Sequence, residues 1–314
     1  MPSGDGPFPF GVHMEPSKPF KTIDQQLEML RGRGLEISDP EACSAYMLTN
    51  NYYSVVNGYK QLLLDPDRTN RDREVYREGT DLMHLVLLHK FDRMLRTATL
   101  GSILIAEERL KDASVYAFCD NFREPDAYLD PLNYALRGEY EKEYGQGRYT
   151  TNLIKLLSTL QGLHDGRQRT AYINHYRKKY DDVPLWVVSK CLTFGNASAF
   201  YGLQKRGVQN DISKLVSAAA GKEQLTPSQI RWAFTVLVPF RNICAHGERL
   251  FCARVGIRGQ FAYTDLVEAL KMILDDEEFD VFKQLAIDGT LGSMKRAPWL
   301  HEQIISLMKI NDNL

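Results

Sequence analysis

The sequence predicts an all-α protein, and three observations carry that prediction. Apolar residues recur at three- and four-residue steps along much of the chain, most clearly over residues 81–109. Thr226-Pro227-Ser228-Gln229 has the form of a helix start: Thr as N-cap, Pro at the first helical position, and Gln placed to complete a capping box. The one run with strand character, LWVVS at residues 185–189, lacks a partner, since no second β-rich run with hairpin chemistry occurs.

Residues 1–17 are rich in Gly and Pro without periodicity and are expected to form a flexible tail; residues 18–314 are expected to form one helical domain. Thr22 precedes a short amphipathic helix, IDQQLEMLRGRG, that ends at Gly32 or Gly34. Asp39-Pro40 opens a second helix, which is expected to run on into LTNNYYSVVNGYKQLLLD. Tyr52, Tyr53 and Tyr59 in that stretch read as core packing, with base stacking as the alternative. Residues 65–79 are heavily charged and read as a surface loop.

The helix over residues 81–109 places Leu88, Phe91, Leu95, Ala98 and Ile105 on a packing stripe. Asp92, Arg93, Arg96, Glu107 and Glu108 decorate its other sides. They read as a solvated face or, for Arg93 and Arg96, as part of an internal network or an RNA-facing patch. A middle section broken by Pro and Gly follows. Residues 152–163 and 168–180 are then expected to form a helical hairpin turned at His164-Asp165-Gly166. Its second arm ends in HYRKKY, where Arg177, Lys178 and Lys179 lie between two tyrosines. That is a candidate phosphate-contact patch, although cations in a last helical turn explain the same residues. After the helix that starts at Thr226, Pro239 is expected to kink it or start a new one, which would put Arg241 in a first turn with free amides that attract a phosphate. Further helices are expected at 263–288 and 297–310.

Composition narrows the function classes. With 44% hydrophobic and 25% charged residues among 314, the chain reads as a globular protein of one or two domains. Its net charge of -1 excludes an overall basic surface, so a nucleic acid must be held by local clusters of Arg and Lys. The 5 cysteines are an odd number without CxxC or another metal spacing, which predicts free thiols in a reducing cytosol and no metal. Cys244 reads as a small packing residue rather than a nucleophile. With no targeting pattern and no apolar run near the ~18 residues of a membrane span, a cytoplasmic protein without membrane contact is expected.

The chemistry concentrates at Phe240 to Phe251, FRNICAHGERLF. Arg-x4–6-His spacing also occurs at Arg77/His84, Arg169/His175 and Arg296/His301, so spacing alone does not single out Arg241/His246. Context does. Asn242 follows Arg241 at once and precedes His246 by four residues, so a helix stacks the amide and imidazole on one face, which Arg249 is expected to extend. Phe240, Ile243 and Leu250, with Gly247 in register, form the apolar stripe that would fasten this helix to a core. Gly79 and Pro298 interrupt two of the rivals, and TAYIN gives the third no polar partner one turn before its histidine.

Arg241-Asn242-Ile243-Cys244-Ala245-His246 resembles the RNxxxH signature of HEPN ribonucleases, and Gly247-Glu248-Arg249-Leu250-Phe251 resembles its continuation in the bacterial abortive-infection, Abi-like (AbiD/AbiF) family. LTNNYYSVVNGY, HKFDRMLRTATLGSILIAEERL and VPLWVVSKCLTFGNASAFYGL extend the likeness over most of residues 18–256. The resemblance implies a multi-helical HEPN-type bundle with additional helices and a ribonuclease that uses no metal or other cofactor. It also implies a role in phage defence, restrained in some members by a small structured RNA, and a site formed where two motif helices meet in a homodimer. On that reading the chain cleaves single-stranded RNA by 2′-hydroxyl attack. His246 is the acid or base, Arg241 stabilises transition-state charge, Asn242 orients His246 or a phosphate oxygen, and Arg249, Arg254, Arg177, Lys178 and Lys179 contact RNA. A noncatalytic RNA-binding or regulatory module is the alternative. Residues at i and i+5 lie ~140° apart on an ideal helix, so Arg241 and His246 converge only through a local distortion or a partner chain.

Overall fold

The computed structural model describes residues 20–166, 171–180 and 182–310. The expected tail at 1–17, the start of the second hairpin arm and Arg169 lie outside the described residues. The all-α prediction holds: among the described residues there are fourteen α-helices and isolated β-bridges, but no strand. Chain contacts divide into two compact units, Met1–His89 and Lys90–Leu314.

In the first unit, α1 (Ile23–Gly32) begins at the reciprocal box of Thr22 and Gln25 and packs Leu27 and Leu30 inward. Asp39 opens α2 (Pro40–Thr49) by accepting from Ala42 N at 2.9 Å. The helix stops short of its expected continuation. Asn50 Nδ2 donates to Tyr46 O at 2.9 Å and Asn51 Oδ1 accepts from Tyr53 N at 2.8 Å, so two side chains offer the backbone a local alternative to helix. A π-helical turn (Tyr53–Asn57) and a 3₁₀ turn (Lys60–Leu62) follow. Tyr59 is buried as core packing requires, whereas Tyr53 is exposed. The charged loop is tied down by Glu74, which pairs with both Arg33 and Lys60 at 2.5 Å.

Helix α3 (Leu82–Asn121) is 40 residues long and outruns the expected end at 109. Leu88, Phe91 and Leu95 are buried as the periodicity requires. Ile105 is not; it is exposed, and Ile103 and Ala106 take the inward positions because a straight 3.6-residue helix rotates the stripe over this length.

The second unit continues through α4 (Arg137–Tyr144), α5 (Tyr149–His164), α6 (Ala171–Tyr180), the short α7 (Leu185–Val188), α8 (Phe194–Leu203) and α9 (Arg206–Ala220). LWVVS is thus helical, with a 3₁₀ turn at Ser189–Cys191. Helix α10 (Pro227–His246) carries the motif and packs on α8, α9 and α11 (Tyr263–Ile273). Next come α12 (Asp276–Phe282), α13 (Thr290–Ser293) and α14 (Pro298–Met308). The single helix expected over 263–288 is broken at Leu274. Asp275 caps the new start by accepting from Glu278 N at 2.9 Å, and Arg109 Nη1 donates to Ile273 O at 2.6 Å, meeting a carbonyl at the end of α11.

Pro239 does not break α10, which runs as one helix from Pro227 to His246. Proline removes one helical hydrogen bond and costs roughly 3 kcal/mol. Val236, Leu237 and Phe240 around it are fully buried, each worth about 1.5–3 kcal/mol, so packing outweighs the local penalty.

Candidate functional site

Thr226 and Gln229 form the predicted capping box at the far end of α10, and Ile230, Ala233, Phe234, Leu237 and Phe240 bury the inner face. The functional residues therefore sit in its final turns. Asn242 and His246, one turn apart, are both exposed, and Arg241 on the flank is half-buried. Gly247 ends the helix with φ 73° in the left-handed region, and its N–H meets Ile243 O.

Two expectations change as a result. Arg241 lies near a helix C-terminus, where unsatisfied carbonyls and the dipole disfavour an anion, so the backbone phosphate site expected from a break at Pro239 does not exist. Arg249 does not extend the Asn242–His246 face, because the left-handed turn at Gly247 takes the chain off the helix axis. Arg249 is exposed in the following loop, close enough to Cys252 to oppose the rise that burial imposes on that thiol.

The loop after the motif is anchored from α3. Asp92, fully buried, accepts from Leu250 N at 3.0 Å and Phe251 N at 3.2 Å. Arg96 Nη1 donates to Asp92 Oδ2 at 2.5 Å and to Glu248 O at 3.1 Å. One ion pair thus satisfies three backbone groups just beyond His246, and the Phe91 and Phe251 rings, next to Asp92 and in the same loop respectively, pack with centroids 6.0 Å apart. Of the two arginines considered for an internal network, Arg96 belongs to it and Arg93 is exposed.

Further along α3, Glu107 Oε2 lies 3.5 Å from Arg241 Nε, and Lys111 Nζ lies 3.6 Å from Glu107 Oε1. A closed charge-assisted hydrogen bond measures about 2.7–2.9 Å, and neither Arg241 Nε nor Glu107 Oε2 has a hydrogen-bond partner. The attraction between these two atoms is therefore Coulombic, without a closed hydrogen bond at Nε. The signal for both anchors was in the sequence: Asp92/Arg96 and Glu107/Lys111 are i,i+4 pairs set among the apolar residues of α3. What it could not show is that their partners lie about 130–160 residues away.

Cys244 is buried beside this network. Burial, with Asp92 adding to it and Arg96 opposing, pushes its thiol up to about 12, which suits the packing role and not a nucleophile. All five cysteines are free. Among the described residues no three His, Cys, Asp or Glu side chains gather as a metal site.

The remaining predicted RNA contacts are divided. Arg254 donates to Ala253 O at 2.9 Å and to Leu307 O at 2.8 Å, which docks α14. Arg177 donates to His164 O at 2.9 Å, while Lys178 and Lys179 are exposed. These three lie on α6, which packs on α7, whereas the motif helix packs on α8, α9 and α11.

A family model described as Abi-like protein matches residues 45–252, more than half of the chain. The chain belongs to the Abi-like family. The matched span of this Abi-like chain takes in Asp92, Arg96, Glu107, Arg241, Asn242 and His246. Comparison with curated proteins and with solved structures finds no match. No helix among the described residues is long and apolar enough to cross a membrane.

Proposed function

We propose that this Abi-like protein acts in phage defence, by abortive infection or as the toxin of a toxin–antitoxin pair, as a metal-independent endoribonuclease on single-stranded RNA. The observation that carries the reading is the exposed pair Asn242 and His246 at the end of an uninterrupted helix, flanked by Arg241 with Glu107 beside it. The ribose 2′-oxygen bonds to phosphorus as the P–O5′ bond breaks, leaving a 2′,3′-cyclic phosphate and a 5′-hydroxyl. The His246 imidazole takes the 2′-hydroxyl proton or supplies one to the leaving oxygen. Arg241 offsets charge on the phosphorane-like transition state, and Asn242 orients His246 or a phosphate oxygen.

A homodimer is part of the same proposal. Arg241 and His246 stand at i and i+5 of one helix, ~140° apart in ideal geometry, and a second copy of the chain would bring the two kinds of side chain together. The second reading is a noncatalytic RNA-binding module that holds a small structured RNA; for it, the 3.5 Å approach of Glu107 to Arg241 matters as a competing anion that a transition state would have to displace. Cleavage by purified protein in excess chelator separates the two. Cleavage that persists, with cyclic-phosphate ends, supports the ribonuclease; RNA binding without cleavage supports the module.

A further inference from the structure

Away from the motif helix, the aromatic core around α6 opens to the surface. Buried Phe118 and Tyr128 belong to a core cluster shared by α3, α5 and α8 and form the floor of a cleft of about 460 Å³. Phe122 and Tyr176 line it, and Tyr180 and Trp186, each 55% exposed, stand at its rim. An exposed Trp and an exposed Tyr on one cleft leave about half of each side chain's surface in water. The Tyr176 and Tyr180 rings lie 5.2 Å apart, and Lys179 Nζ sits 5.0 Å from the centre of the Tyr180 ring.

The charge around the cleft identifies an occupant. Lys179 stands over the rim tyrosine, exposed Lys178 precedes it on α6 outside the cleft lining, and Arg123, paired with Asp120, lines the wall. Cations next to stacking surfaces match a strand whose phosphates are anionic and whose bases present π-faces. Glu124 and Asp182 also line the cleft, and a carboxylate accepts from an exocyclic amino group. A protein segment rich in acidic residues would satisfy the lysines but would bring neither a base to stack on the exposed rings nor an exocyclic amino group for these carboxylates. We propose that this cleft holds an unpaired, amino-bearing base of a bound RNA strand, stacked between Tyr180 and Trp186, with Lys178 and Lys179 on the adjoining phosphates. The inference rests on the reading of RNA as the partner. It adds a second contact point, on α6 and α7, to the one at the end of α10.

The test uses the full chain carrying His246→Ala, so that bound RNA stays intact, with a short single-stranded oligoadenylate as probe. Trp186→Ala and Tyr180→Ala should each weaken binding by about tenfold, the scale of one lost base–aromatic stack, with circular dichroism unchanged. Trp186→Phe should keep most of the affinity. Replacing the bases of the probe with abasic sugars should cost the parent similarly and cost Trp186→Ala little. Lys178→Ala with Lys179→Ala should lower the salt slope by roughly 1.4, two contacts at ~0.7 each. If both aromatic variants bind as tightly as the parent, the cleft is not a base site while the RNA reading stands. If the parent binds no RNA and the wild type cleaves none, the RNA reading fails and the cleft proposal falls with it.

Discussion

Replacing Asp92 by Ala removes the carboxylate that fastens the loop beyond His246, and the consequence can be sized. Asp92 is 0% exposed, and it accepts from Arg96, Leu250 N and Phe251 N. The variant strands the Arg96 guanidinium, itself largely buried, and breaking a buried pair from one side costs about 3–5 kcal/mol. Two backbone N–H groups are orphaned as well, each worth roughly 1–3 kcal/mol when water cannot reach it. These effects share partners and do not simply add, so the expected loss is about 4–6 kcal/mol, much of the ~5–15 kcal/mol that a domain has. Denaturant unfolding followed by tryptophan fluorescence reads the relevant part of the chain, because Trp186, Trp232 and Trp299 all lie in the unit that contains Asp92. Adding Arg96→Met should recover part of the loss, since the stranded charge goes while the orphaned amides remain. A single-variant loss below about 1 kcal/mol would refute the view that this pair anchors the motif loop.

Pro239→Ala restores the amide that α10 lacks and should raise stability by roughly 1 kcal/mol, less than the ~3 kcal/mol intrinsic difference because some packing of the ring is lost; a fall in the unfolding midpoint would show that the ring matters more than the hydrogen bond. Thiol ionisation should weaken the fold in alkali. Burial holds Cys43 up to about 11 and Cys244 up to about 12, against an ordinary 9.0, so above pH 9 the unfolded chain releases protons that the folded chain keeps. Stability then falls as pH rises through that window and is unaffected by these groups below it. Cys244→Ala should flatten the fall, and an unchanged pH profile would contradict the burial argument. Arg254→Ala should speed amide exchange in α14 by releasing Leu307 O and leave the salt slope of RNA binding nearly unchanged, whereas Arg249→Ala should lower that slope by about one contact. The reverse pattern would make Arg254 the phosphate contact.

Local chemistry was the legible part of this chain. Thr22 with Gln25 and Thr226 with Gln229 form the boxes their spacing spelled, because a cap depends on residues three apart. Asp275 with Glu278 has the same spacing and marks the break between α11 and α12, a signal present in the sequence but submerged in an apolar pattern that ran past it. Pro239 misled for the opposite reason: its local penalty was real, and burial of Val236, Leu237 and Phe240 overrode it. That one error moved Arg241 from a first turn to a last and with it removed the phosphate site drawn there. The placement of Asn242 and His246 one turn apart survived, since it needed only helix. The grip of Asp92 and Arg96 on residues 248–251 was not readable, because nothing in a charged i,i+4 pair says which distant backbone it will meet.

The central claim is that Arg241 and His246 carry RNA cleavage. The direct measurement is single-turnover cleavage of a single-stranded RNA, in chelator, by wild type, His246→Ala and Arg241→Ala, with RNA binding and circular dichroism recorded on the same preparations. Removing a general acid–base group typically costs 10²–10⁴-fold, so His246→Ala should lose activity on at least that scale while its affinity and helix content stay those of the wild type. Arg241→Ala should lose activity together with some affinity, because one phosphate contact goes with it. Cleavage by both variants at the wild-type rate, with the same product ends, would contradict the account.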